Sequence, residues 1–107
     1  MLKIVFIILE PPSSDRAIKA FSMIREMIKR DADVSIYLLG DGVYCGMKGV
    51  NLEIINSDNL RVFVNKEDIE ARGILDDLLL EKVQCQNNSI ERMIVDVMEN
   101  ADRILCF

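Results

Sequence analysis

Short apolar runs, each closed by a turn signal and followed by an amphipathic or polar stretch, recur along this chain. That alternation constrains its fold more than any other feature. The sharpest case is Val34-Ser35-Ile36-Tyr37-Leu38-Leu39-Gly40-Asp41-Gly42-Val43-Tyr44-Cys45-Gly46, where an apolar, β-branched run breaks off at Gly-Asp-Gly and a cysteine follows at once. In an open α/β sheet, ligands and chemistry gather at the carboxyl ends of strands, and this stretch reads as one such end.

The nearly continuous apolar run at 2–9 predicts a buried strand of the parallel kind, stopped by Glu10-Pro11-Pro12. Ser13 or Ser14 then caps a helix reaching about Arg30. Its Ala17, Phe21, Ile24 and Ile28 recur at helical spacing, with Ala20 and Met27 beside them. A second strand covers 34–39, and 40–49 is a loop with four glycines. The stretch 50–55 is ambiguous between a short helix and irregular structure, and Asn56-Ser57-Asp58-Asn59 marks a turn. A third strand covers 60–64. Asn65 then caps a short helix through Arg72, with Gly73 as its stop. A second short helix at 75–80 and a weak strand at 82–86 follow. Asn88 or Ser89 caps a last helix at 90–100, with Ile90, Met93, Ile94, Val97 and Ala101 as its apolar face. A closing strand covers 103–107. The β-α order predicts a three-layer α/β fold: a mainly parallel, flavodoxin-like sheet of about five strands with helices on both faces.

At 107 residues the chain supports one domain, 1–107, burying roughly 65% of its unfolded surface, so association with other chains would add stability. Half of the residues are apolar and 29% are charged, which suits a packed core. A net charge of −5 and few aromatics argue against direct nucleic-acid binding. No apolar run approaches the ~20 residues of a membrane helix. Met1-Leu2-Lys3 leads straight into the first strand with no small-residue cleavage site, so a cytoplasmic protein is expected.

Histidine is absent, which removes Ser-His-Asp and Cys-His catalysis and His metal sites. The cysteines Cys45, Cys85 and Cys106 form no C-x-x-C pair, so no metal, cofactor or disulfide framework is expected. Cys45 reads either as a nucleophile activated by loop N–H groups and nearby Lys48, or as a small apolar residue packing the loop. The glycines at 40–49 match neither phosphate-loop spacing. Cys85 reads as a strand residue near the same edge and Cys106 as core. Glu10 and the Asp76-Asp77 pair could suggest acid or metal chemistry, but adjacent helical residues diverge around the axis and a solvated face is expected.

Three motifs resemble one family. Leu38-Leu39-Gly40-Asp41-Gly42-Val43-Tyr44, Glu70-Ala71-Arg72-Gly73-Ile74 and Ala101-Asp102-Arg103-Ile104-Leu105-Cys106-Phe107 are similar, in that order, to stretches of the DsrE/DsrF-like proteins, which include the TusB, TusC and TusD subunits of a sulfur relay. The resemblance implies a flavodoxin-like fold, cytoplasmic homo- or hetero-oligomers, and partners that donate and accept sulfur. In active members it implies a cysteine that carries sulfane sulfur as a persulfide. That cysteine stands eight residues before the Gly of the Arg-Gly pair, where this chain has Asn65.

Two expectations follow. In the first, Cys45 carries the sulfur, its thiolate attacking a donor persulfide and an acceptor thiol then taking the terminal sulfur. Gly40, Asp41, Gly42, Tyr44, Gly46 and Lys48 form its supporting loop. In the second, the chain is a scaffold or docking subunit without the family cysteine. A small-ligand domain using Glu10, Asp41 and Asn65 is a third possibility. Access to Cys45 separates the first two.

Overall fold

The apolar runs form five strands, and all of them are parallel. In a computed structural model, which describes residues 1–50 and 58–107, the chain runs β1 (Lys3–Ile8), α1 (Asp15–Lys29), β2 (Asp33–Leu38), a 3₁₀ segment (Gly40–Gly46) and β3 (Leu60–Asn65). It continues through α2 (Lys66–Ala71), a 3₁₀ turn (Asp76–Leu78), β4 (Val83–Gln86), α3 (Ser89–Val95) with a π turn (Asp96–Asn100), and β5 (Arg103–Cys106). The stretch 50–55 and the turn cluster at 56–59 fall largely outside the described residues.

The strand order is β4-β3-β2-β1-β5. From β1 to β4 each strand is added on the same side of the last, so right-handed crossovers carry α1 and the next two connections to one face. The step from β4 to β5 reverses direction and sends α3 to the other face. The packing has this asymmetry. On the first face Phe6, Ile8, Ile36, Leu38, Val62 and Val64 are sealed under Ala17, Ala20, Phe21 and Ile24 of α1 and under Val43, Cys45 and Ile69. Each such fully buried aliphatic or Phe side chain contributes about 1.5–3 kcal/mol. On the second face Val5, Tyr37 and Phe63 meet Met93, Val97 and Ala101.

Local chemistry accounts for two of the helix ends. Ser14 caps α1, its Oγ accepting from the Ala17 N–H at 3.1 Å. Gly73 follows α2 at φ +65°, the left-handed stop expected of it. Four expectations need correction. The segment at 40–46 is wound into 3₁₀ turns rather than open loop, and 75–80 holds one 3₁₀ turn rather than a helix. Ile90 and Ile94 lie outside the core at 38% and 48% exposure, because one helix crossing a whole sheet face buries only the stripe through Met93 and Val97. Cys106 is exposed rather than core, because β5 is an edge strand.

Gly42 fixes the turn out of β2. A Cβ there would stand 2.0 Å from the Ile8 carbonyl oxygen, a backbone atom that cannot move aside. Gly42→Ala is therefore expected to destabilise the fold by at least ~2 kcal/mol in chemical denaturation. Substitution of Gly49, whose Cβ position is open and whose φ of +93° adds backbone strain alone, is expected to cost less. Equal costs at the two positions would contradict the close approach.

Candidate functional site

The carboxyl ends of β1, β2 and β3 bring Glu10, the 40–46 segment and Asn65 to one edge of the sheet. As β2 ends, the Leu39 N–H donates to the Ile8 carbonyl at 3.1 Å, which draws the segment back over β1. The turn then carries Cys45 inward. Its side chain is 0% exposed, among core residues, with the thiol directed at the Glu10 carbonyl at 3.6 Å. Burial pushes this thiol up to about 12.

The supporting groups do not converge on Cys45. The Gly40 N–H donates to Asp68 Oδ2 (2.9 Å), the Gly42 N–H to Leu39 O (2.9 Å) and the Met47 N–H to Tyr44 O (3.3 Å). Tyr44 is half-buried against the core, and Gly46 packs tightly between Leu38 and Val83. Lys48 is exposed, and its own N–H is held by the Leu78 carbonyl at 2.9 Å. The open, cation-assisted Cys45 thiolate that sulfur carriage at this position needs is not the state found. The physical reason is the 3₁₀ winding, which turns residue 45 to the core side.

A polar clasp occupies the surface of this edge instead. Asn65 stands at the N-terminus of α2, but its side chain makes no capping bond. Its Nδ2 donates to Asp68 Oδ2 at 3.2 Å, the same oxygen that accepts from Gly40. Arg72 closes the group: Nε and Nη2 both reach Asp41 Oδ1 (3.1 and 2.9 Å), and Nη1 donates to the Asp68 carbonyl and pairs with its carboxylate. One guanidinium thus ties the β2 exit to α2. The sequence motifs include Arg72 but single out neither it nor Asp68 as a site residue. Their i,i+4 spacing was the available signal.

The other two thiols sit at the same end of the sheet. Cys85 of β4 pairs in register with Val64, is half-buried, and is raised by burial first and by Asp76 second, with Lys66 opposing. Cys106 ends β5 beside Ile7. Among the described residues no group of His, Cys, Asp and Glu could hold a metal ion. No helix among them is long and apolar enough to cross a membrane.

Comparison with known proteins agrees with this architecture. A family model described as DsrH like protein matches residues 13–103. The YchN protein from E. coli has a similar solved structure, at TM-score 0.81 and 23% identity over 100% of both chains. A protein of unknown function from Methanobacterium thermoautotrophicum gives a TM-score of 0.82 at 17% identity, covering 98% of this chain and 99% of that one. At these identities both likenesses concern the fold. No curated protein matches the chain in sequence.

The three thiols are expected to differ sharply in reactivity. With a bulky disulfide reagent at pH 8, Cys106 should react at once, Cys85 more slowly, and Cys45 only on unfolding. Prompt labelling of Cys45 in the native state would refute its burial. An unfolded thiol ionises near ~8.5 while the folded Cys45 holds its proton to about 12, so the unfolded state is the first to lose it. Stability should therefore fall as pH rises above about 8.5, with a shallower slope in Cys45→Ala.

Proposed function

The chain belongs to the DsrH-like family, and from that premise we propose that it is a non-catalytic docking subunit of a cytoplasmic sulfur-relay oligomer, acting as a single 1–107 domain. One observation carries this reading: where active relatives are inferred to hold their cysteine, Asn65 is tied into the Asp68 and Arg72 clasp, while Cys45 is buried in the core. A protonated, buried thiol attacks nothing, because the thiolate is the nucleophile. The chain has no histidine to take that proton.

Docking draws on the thinly covered face. Ile94, Val95 and Met98 of the last helix and Ile104 of β5 are exposed at 48%, 49%, 79% and 45%. Such apolar side chains, close in the chain and exposed together, suit burial against sister subunits. Sulfur carriage by this chain is the second reading, and the observation in its favour is Cys85, a half-exposed thiol beside the Asn65 edge with Lys66 nearby.

Intact-mass and peptide-mapping analysis after incubation with a persulfide donor separates the readings. Docking predicts no reductant-sensitive sulfur on Cys45 or Cys85 in the native protein. Sulfur on Cys85 that is lost in Cys85→Ser would establish the second reading. Sulfur on Cys45 would mean that the strand-end segment opens. Light scattering should give a mass above that of one 12.2 kDa chain, alone or with a DsrE-like partner, and Met98→Asp should reduce it without lowering monomer stability. A monomer under both conditions would overturn docking.

A further inference from the structure

The opposite end of the sheet carries a cleft of about 300 Å³ on the α3 face, away from the Asn65 edge. Its walls are strand starts and the end of the last helix: Lys3 of β1, Asp33 and Ser35 of β2, Arg61 of β3, and Asp96 and Asn100 of the π turn. Strands of an all-parallel sheet are ordinarily apolar along both faces. Here Ser35 and Arg61 stand opposite one another in register, and Ser35 is 5% exposed.

Arg61 is held in place from one side. Its Nη2 reaches Asp33 Oδ1 at 2.6 Å, and its Nε and Nη2 reach Ser35 Oγ at 3.3 and 3.1 Å. The other side of the fork is unused: Arg61 Nη1, Asp33 Oδ2 and Lys3 Nζ have no hydrogen-bond partner among the described residues. The π turn, closed by the Ala101 N–H on the Asp96 carbonyl at 2.8 Å, brings Asp96 and Asn100 together over this cleft. Such turns occur preferentially where a helix serves a site. Asn100 Nδ2 donates to one oxygen of Asp96 (3.0 Å) and the Tyr37 hydroxyl to the other. Burial, reinforced by the Asp96 carboxylate, holds the Tyr37 phenol protonated, so Asp96 is oriented by two donors.

The lining therefore holds two cations and two carboxylates. A lone anion meets Asp33 and Asp96, and a lone cation meets Arg61 and Lys3. A short molecule bearing both charges can set its anionic end on the cations and its cationic end on the carboxylates without disturbing the Arg61–Asp33 pair, and the volume, at the small end of ligand pockets, admits only a short one. We propose that this cleft binds a small zwitterion of the α-amino acid class. Its carboxylate lies on Arg61 Nη1 and Lys3 Nζ, and its ammonium group faces Asp33 Oδ2 and Asp96. This site is separate from the clasp; it lies on the same face as the exposed apolar side chains, and Met98 belongs to the π turn that lines it.

Amide chemical-shift titration of the whole chain tests it, using L-alanine, L-lactate (no ammonium) and isopropylamine (no carboxylate) at matched ionic strength. The expected result is saturable shifts with L-alanine alone, centred on Lys3, Ser35, Arg61 and Ala101. Asp33→Asn, which keeps the volume and an acceptor for Arg61, should weaken L-alanine at least about tenfold and raise the response to L-lactate. Arg61→Gln should abolish the response to L-alanine, and melting curves of both variants establish that they remain folded. No saturation by L-alanine up to about 10 mM would overturn the proposal. So would equal saturation by L-lactate, which marks a plain anion site, or by isopropylamine, which marks a cation site.

Discussion

Handedness governs this structure. A parallel strand pair can be joined only by a crossover, and the crossover is right-handed. With the order β4-β3-β2-β1-β5, three successive connections must share one face and a single helix must serve the other. The consequences reach every part of the molecule. The crowded face seals Phe6, Ile8, Ile36 and Leu38 beneath α1 and the strand-end segment. The sparse face relies on one helix set over Tyr37 and Phe63, whose rings stack at 5.0 Å, with the Arg92 guanidinium 4.5 Å above Phe63. That helix cannot cover a whole sheet face, so apolar side chains are left exposed on it and on β5.

The same crowding decides the chemistry of the carboxyl edge. The connection after β2 must cover the ends of β1 and β3, and Gly42 allows it to lie directly on the Ile8 carbonyl. Wound at three residues per turn and packed that closely, the segment turns residues 42, 43, 45 and 46 inward, and Val43 and Cys45 become core residues. What remains at the surface is polar and mutually paired. Arg72 spans Asp41 and Asp68, and Asp68 in turn holds Gly40 and Asn65. Partly exposed pairs of this kind contribute little stability, at most about 1 kcal/mol each. Their effect is positional: they keep the edge shut and its amides engaged. In this state Cys45 offers no open thiolate at the edge.

The two ends of the sheet thus differ. At the carboxyl end, Arg72 and Asp68 each engage more than one partner. At the amino end, the Ser35, Arg61 and Asp33 row leaves Arg61 Nη1 and one Asp33 carboxylate oxygen without a partner among the described residues, beside a cleft. Polar residues inside a parallel sheet are costly unless paired, so a partly paired set has to draw the remainder from solvent or from a ligand.

Much of this was legible along the chain. The apolar runs, the Ser14 cap, the Gly73 stop and the β-α alternation each follow from local physical chemistry, and each determines an element or its end. Together with the family motifs they imply the five-stranded α/β fold, and composition alone removes histidine chemistry. Three things were decided only in three dimensions. Cys45 follows a strand end in sequence, where a thiol could be open; the winding of 40–46 over Ile8 turned it inward. Ile90 and Ile94 have the spacing of a buried face, but burial depends on how wide a sheet the helix must cover. Cys106 sits in an apolar run, and only strand order made that run an edge. Spacing along the chain determines which side chains share a face. What covers that face is set by the order and handedness of strands distant in sequence, and so belongs to the tertiary structure.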